Sequence, residues 1–133
     1  ATDANTEVAL PPTSLPDAPV QQVQQSATEG LQFYYRIISA GNYQKAWGLL
    51  TENFKANYNS SGYQPYADWW STVDRVEVRS VNVVFENSRS ATLEANLVYN
   101  FTSGKVDAND VMIFTMVYDS NSNEWLIDYA RLK

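Results

Sequence analysis

The strongest constraint on this 133-residue chain is a change of apolar period near residue 72. Before it, apolar residues recur at helical spacing: Ala27, Leu31, Tyr34 or Tyr35 and Ile38, then Ala46, Trp47, Leu49 and Leu50. After it they alternate. Val76 and Val78 lie on one face, with Arg75, Glu77 and Arg79 on the other. Val81, Val83 and Phe85 continue with the parity reversed, which places a β-bulge near Ser80. Ala91, Leu93, Ala95, Leu97, Tyr99 and Phe101 form the clearest half-buried strand. A 3.6-residue period cannot serve a strand, nor a two-residue period a helix, so helices come first and an antiparallel meander follows.

Punctuation sets the expected elements. The first helix starts within Val20–Ser26 and ends at Ala40, where Gly41 is placed to terminate it. Gly30 within this helix costs about 1 kcal/mol relative to Ala, which suggests a close approach by another element. Asn42 caps a second helix, Tyr43 to Leu50. Residues 51–62 read as a polar loop, and Pro65 opens a short third helix to about Ser71. After the Val76–Phe85 strand comes a turn at 87–89, then the strand ending at Phe101 and a turn-rich connection over 102–110. Val111–Tyr118 is apolar on both faces and therefore central. A turn over 119–123 precedes a last strand, Trp125–Leu132. The fold expected is α+β: three N-terminal helices packed on a curved antiparallel sheet of about four strands, leaving a cone with a cavity at its open end.

Residues 1–20 hold four of the five prolines among Ala, Thr, Ser and Asp, and read as a Pro-rich linker or disordered tail. Residues 21–133 then make one domain. The chain opens inside this stretch, and the expectation is a piece of something longer.

Composition removes whole classes of chemistry. With no Cys there are no disulfides, zinc–thiolate sites or thiol nucleophiles. With no His there is no Ser–His or Cys–His constellation. The first 35 residues carry four acids and no Lys or Arg; the rest carry 11 acids and 9 bases, with no basic cluster to neutralise phosphates. Nucleic acid is not an expected partner, and no run approaches the length of a membrane span. Asp119, Asn121 and Asn123 start like a calcium loop, but Glu124 stands where Gly is needed and Ala130 where the bidentate Glu belongs, so an Asx-rich turn is expected and no metal. Two sequons, at Asn59 and Asn100, match by chance in an Asn/Ser-rich chain. Arg75, Glu77 and Arg79 read as a solvated face carrying charge pairs rather than an anion-binding strip.

The segments Leu31–Ile38 and Gly41–Thr51, together with the Tyr66–Trp70 aromatics, the Val76–Phe85 strand and the closing Trp125–Asp128, resemble the nuclear transport factor 2-like superfamily. This superfamily has the cone-shaped α+β fold and includes ketosteroid isomerase. Within it, the chain is most similar to domains at the C-terminal end of cyanobacterial serine/threonine kinases and related envelope proteins. The resemblance covers residues 27–132 and rests on structural aromatics, which speak to fold more than function.

It implies a non-catalytic sensor or protein-interaction domain, attached by a linker to a larger protein such as a kinase, with a small amphipathic ligand in the cone. The candidate lining residues are Tyr35, Tyr66, Trp69, Tyr99, Tyr118 and Asp128. No catalytic residue and no cofactor is expected. The alternative is a small isomerase, dehydratase or hydrolase using Asp128 in the pocket; a buried Asp128 with a Tyr hydroxyl in reach would favour it. The expected partners are other domains of the parent protein or a protein partner, and dimerisation through the outer sheet face is left open. The expected location is extracytoplasmic or membrane-tethered rather than free in the cytoplasm. Of the adjacent tryptophans, Trp70 lies four residues from Tyr66 on one helical face and is expected inward, with Trp69 at the surface or cavity mouth.

Overall fold

The computed structural model describes residues 24–133; the expected linker over 1–20 lies outside the described residues. Among these, the chain forms α1 (Ala27–Ser39), α2 (Tyr43–Trp47), α3 (Glu52–Tyr58) and α4 (Tyr63–Trp70), then β1 (Val73–Glu86), β2 (Ser90–Phe101), β3 (Val106–Asp119) and β4 (Glu124–Leu132). The strands pair antiparallel in the order β1-β2-β3-β4. A lone parallel bridge joins Leu50 to Ile127 at the free edge of β4. The class is α+β, helices before strands.

Local chemistry sets the helix ends. Ser26 and Glu29 form a reciprocal capping box at the start of α1. At its end the Asn42 N–H bonds Ile37 O and the Gly41 N–H bonds Ile38 O, a Schellman closure with Gly41 at φ 83°. Three expectations need correction. There are four helices among the described residues instead of three, because Thr51 accepts the Phe54 N–H and caps α3 within the segment expected to be a loop. The i,i+4 rings of Phe54 and Tyr58, 4.7 Å apart, brace that helix. Helix α2 stops at Trp47 instead of Leu50, since residues 49–50 turn to pair with β4. Helix α4 begins at Tyr63, with Pro65 in its first turn, where a missing N–H breaks no bond.

The bulge expected near Ser80 is present. Val78 pairs with Leu97 and Ser80 with Asn96, so Arg79 is the extra residue and both Val78 and Val81 reach the core face. A further bulge, at Val84, corrects the expectation for Phe85. Val83 pairs with Leu93 but Phe85 with Thr92, which puts Phe85 on the opposite face from Val83, 51% exposed.

The core lies between α1 and the inward rows of the sheet: Leu93, Ala95 and Leu97 on β2, Phe114 and Met116 on β3, Trp125 and Ile127 on β4. Trp125 is 2% exposed and its indole N–H donates to Gln25 O at 2.7 Å. Gly30 of α1 lies directly over it. A Cβ built at Gly30 would stand 2.7 Å from Trp125 Cβ. This is the close approach that a mid-helix glycine suggests. Gly30→Ala should therefore destabilise the fold by about 1 kcal/mol or more, overpacking outweighing the gain in helix propensity. Urea melts check the sign, and a stabilised variant would show that Trp125 can retreat.

Candidate functional site: an aromatic cavity beneath helix α4

A cavity of about 240 Å³ lies between α1, α3, α4 and the inner rows of β2, β3 and β4. Nine of its thirteen lining residues are aromatic, so its walls are π-faces and edges rather than aliphatic carbon. A contiguous depression of about 230 Å³ under the 59–62 loop shares Tyr58, Asn59, Tyr66, Trp69 and Trp70 with it.

Helices α1, α3 and α4 position the walls. Tyr34 and Tyr35 are adjacent on α1 and both buried, their rings edge to face at 5.0 Å. Tyr66 and Trp70 share one face of α4, and Trp70 stacks on Tyr99 of β2 at 6.2 Å with planes 18° apart. Trp69 points the other way, 50% exposed against 8% for Trp70, and stands at the mouth 6.5 Å from Tyr99. The division of the two tryptophans is as the helical spacing requires.

Two of the tyrosine hydroxyls satisfy one another. Tyr34 and Tyr66 share a hydrogen bond of 2.7 Å, and the Tyr35 hydroxyl lies within the electrostatic reach of Tyr99. Burial pushes Tyr34 and Tyr35 well above the ordinary phenol range. It also raises Tyr66 and Tyr99, against the opposing effect of the neighbouring Tyr34 and Tyr35 hydroxyls. All four are therefore neutral at physiological pH. They can orient a polar group but cannot serve as bases.

Four of the six residues expected at the site line the cavity: Tyr35, Tyr66, Trp69 and Tyr99. Tyr118 and Asp128 lie outside the lining. Tyr118 is further along the inward row of β3, packed edge to face on Trp125 at 5.3 Å, with its hydroxyl donating to Asn123. Asp128 is the extra residue of a β4 bulge, since Met116 pairs with Ile127 but Thr115 with Tyr129. The bulge lets Ile127 and Ala130 both face the cavity and leaves Asp128 aside, accepting a 2.7 Å bond from Thr51 Oγ1. Its work is to hold the cap of α3 against the edge of the sheet.

A carboxyl pair escaped the sequence reading. Asp110 pairs across the sheet with Leu97, and Asp107 with Tyr99. Directly opposite residues share a face, so both acids belong to the inward side. Asp110 continues the row of Phe114 and Met112, and a bulge between Leu97 and Tyr99 brings Asp107 round to join it. Three residues apart, the two would face opposite ways in a regular strand. Burial, then Asp107, raises the Asp110 carboxyl above the usual range, and both acids raise Tyr99. The sequence carries no local signal for the pair: residues 102–110 read as a turn-rich connection, whereas β3 begins at Val106 and takes both acids into the sheet.

Elsewhere, Glu77 is held low by hydrogen bonds from Arg79 and Arg75, so that strip is neutralised along its own strand. The 119–123 turn closes on itself, the Asp119 carboxylate accepting the Asn121 N–H and the Ser122 hydroxyl.

Two predictions follow from this geometry. Trp70→Ala should cost about 3–5 kcal/mol and Trp69→Ala far less, read from denaturant midpoints at unchanged slope. Equal losses would place both rings in the core. For Asp110 the folded pKa lies above the unfolded one. Its contribution to stability is thus fully present below the unfolded value, about 3.9, and is lost as pH rises through the folded one. Asp110→Asn should raise the Tm at about pH 7, with the advantage shrinking towards pH 4. A gain independent of pH would mean that charge is not the cause.

No family model matches the chain. Over 98% of its length it is 35% identical to part of the serine/threonine-protein kinase PknA of Nostoc sp. (strain PCC 7120 / SAG 25.82 / UTEX 2576). The chain spans about a quarter of that kinase, 24% of its length. It is thus similar to a segment of a larger cyanobacterial kinase.

Proposed function

We propose that this chain is a non-catalytic sensor or interaction domain attached to a larger protein, in the first instance a serine/threonine kinase, and that its aromatic cavity binds a small amphipathic ligand. The observation that carries the first half is the similarity across nearly the whole chain to a segment of a much longer kinase. What supports the second is the cavity itself: about 240 Å³, walled by aromatics, with Tyr34 and Tyr66 hydrogen-bonded to each other in its wall. A cone of the nuclear transport factor 2-like kind fits helices packed on one face of an antiparallel sheet. In such a cone the outer face of the sheet would be free to pair two copies. The Pro-rich residues 1–20 would act as the tether, and the parent protein would be membrane-tethered or extracytoplasmic.

The alternative, an isomerase, dehydratase or hydrolase working through Asp128, loses its geometric support, because that carboxylate is engaged with Thr51 and lies outside the cavity lining. The test is the full-length gene product. It should encode a kinase domain, and deleting this segment should change its autophosphorylation rate severalfold while leaving the kinase folded. A parent protein without a kinase, or phosphorylation indifferent to the deletion, would overturn the kinase assignment.

A further inference from the structure

We propose that the depression under the 59–62 loop, at the mouth of the cavity, is a docking groove for a proline-rich segment, and that its occupant is this chain's own stretch 10–16, which holds Pro11, Pro12 and Pro16. The walls come first. Tyr58 on α3 and Trp69 on α4 both line the depression, and they are 44% and 50% exposed. Proline rings pack on such aromatic ridges, and a proline-rich segment favours the extended polyproline II form before it binds, so little ordering entropy opposes docking. Trp70 lines the depression as well as the cavity. Its indole N–H donates to no acceptor among the described residues, and its nitrogen is not sealed from open space. An indole nitrogen only donates, so what settles there must bring carbonyl oxygens. A proline-rich stretch brings a carbonyl at every residue and has no N–H at each proline to leave unsatisfied. No charged side chain lines the depression, and residues 10–16 carry none.

Reach comes second. The described chain starts at Gln24, whose side-chain amide donates to Ser88 O at 3.0 Å in the turn between β1 and β2. Trp69 stands against Tyr99, towards the other end of β2. From Ser90 to Tyr99 is nine residues of strand, about 30 Å. An extended chain covers about 3.3 Å per residue, so Pro19, five residues before Gln24, falls short at about 17 Å, Pro16 extends to about 26 Å, and Pro12 has slack at about 40 Å. The length of chain before Gln24, and the end of the sheet from which it leaves, thus select residues 10–16 over the last proline. Docked there, the segment shortens the tether and covers the cavity mouth.

The chain has no Cys, so Thr6→Cys gives a unique site for a nitroxide spin label on the whole chain. Amide and indole N–H spectra are compared with the label oxidised and reduced. The Trp69 indole signal and the amides of residues 59–62 should lose most of their intensity, while the amides of the 87–89 turn, nearer to Gln24, keep theirs. Replacing Pro11, Pro12 and Pro16 together by Ala should restore the lost signals, and Trp69→Ala should restore the 59–62 amides, with the rest of each spectrum unchanged. Broadening strongest at 87–89 and fading with distance from Gln24 would show the segment hanging free and would overturn the proposal. Broadening that survives the proline replacements would overturn recognition of proline. A mixture of spin-labelled chain with isotope-labelled chain free of the nitroxide should show no broadening. Broadening in that mixture would make a second copy the occupant and overturn docking by the chain's own segment.

Discussion

Everything in this fold is referred to the seam where Gly30 of α1 meets Trp125 of β4. A helix and a sheet normally keep a side chain's width between their backbones. Here the missing Cβ lets a buried indole lie directly beneath the helix, and the indole N–H reaches back to Gln25 O just before the helix begins. That one contact sets the height and angle of α1 over the sheet. Tyr34 and Tyr35 follow one turn later along the helix, and their distance from Tyr66, Trp70 and Tyr99 depends on how the seam holds α1. The cavity exists because α1 is pinned at one end of the sheet and α4 leans in at the other.

Bulges do the remaining positioning. Each inserts one residue, re-phases a strand and turns a side chain that alternation would place elsewhere. At Arg79 the effect is to keep Val78 and Val81 both on the core face. At Asp128 it frees two apolar neighbours to face the cavity and sends the carboxylate to α3. On β3, opposite Val98, it gathers two acids onto a face that could otherwise hold one of them. The placement of the two acids on the inward side of β3 thus rests on departures from regular strand geometry, as does the disposal of the residue that chemistry alone would nominate as a base.

Much of this was legible in the residues. The period change near residue 72 separates helices from strands. Gly41, Asn42, Ser26 and Glu29 mark helix ends through bonds made within a few residues of themselves. The parity break near Ser80 announces its bulge, and the 100° between Trp69 and Trp70 sorts one inward and one outward. Four of the six candidate site residues line one cavity because they sit on faces already identifiable as apolar. What failed was long-range. Alternation alone keeps Phe85 on the face of Val83, because the bulge at Val84, five residues after the one at Arg79, leaves no local trace. Asp128 was weighed as a base because its neighbours Ile127 and Tyr129 read as an ordinary alternating strand. The 51–62 segment lacks the pattern of a helix because its helix is short and borrows its hold from the edge of β4.

The chain's own sequence determined the order of elements, their caps and turns, and which rows of side chains are apolar. These depend on interactions between residues a few positions apart, which spacing and residue type specify. Tertiary structure alone decided which strand residue is the extra one in each bulge, what Gly30 lies against, and that Asp107 and Asp110 share a face with Tyr99. A bulge is placed by the pairing of two strands, and a close approach by the packing of two layers. Neither the partner strand nor the facing layer is present in the local pattern, so residues brought together only across the sheet stay invisible until the sheet is formed.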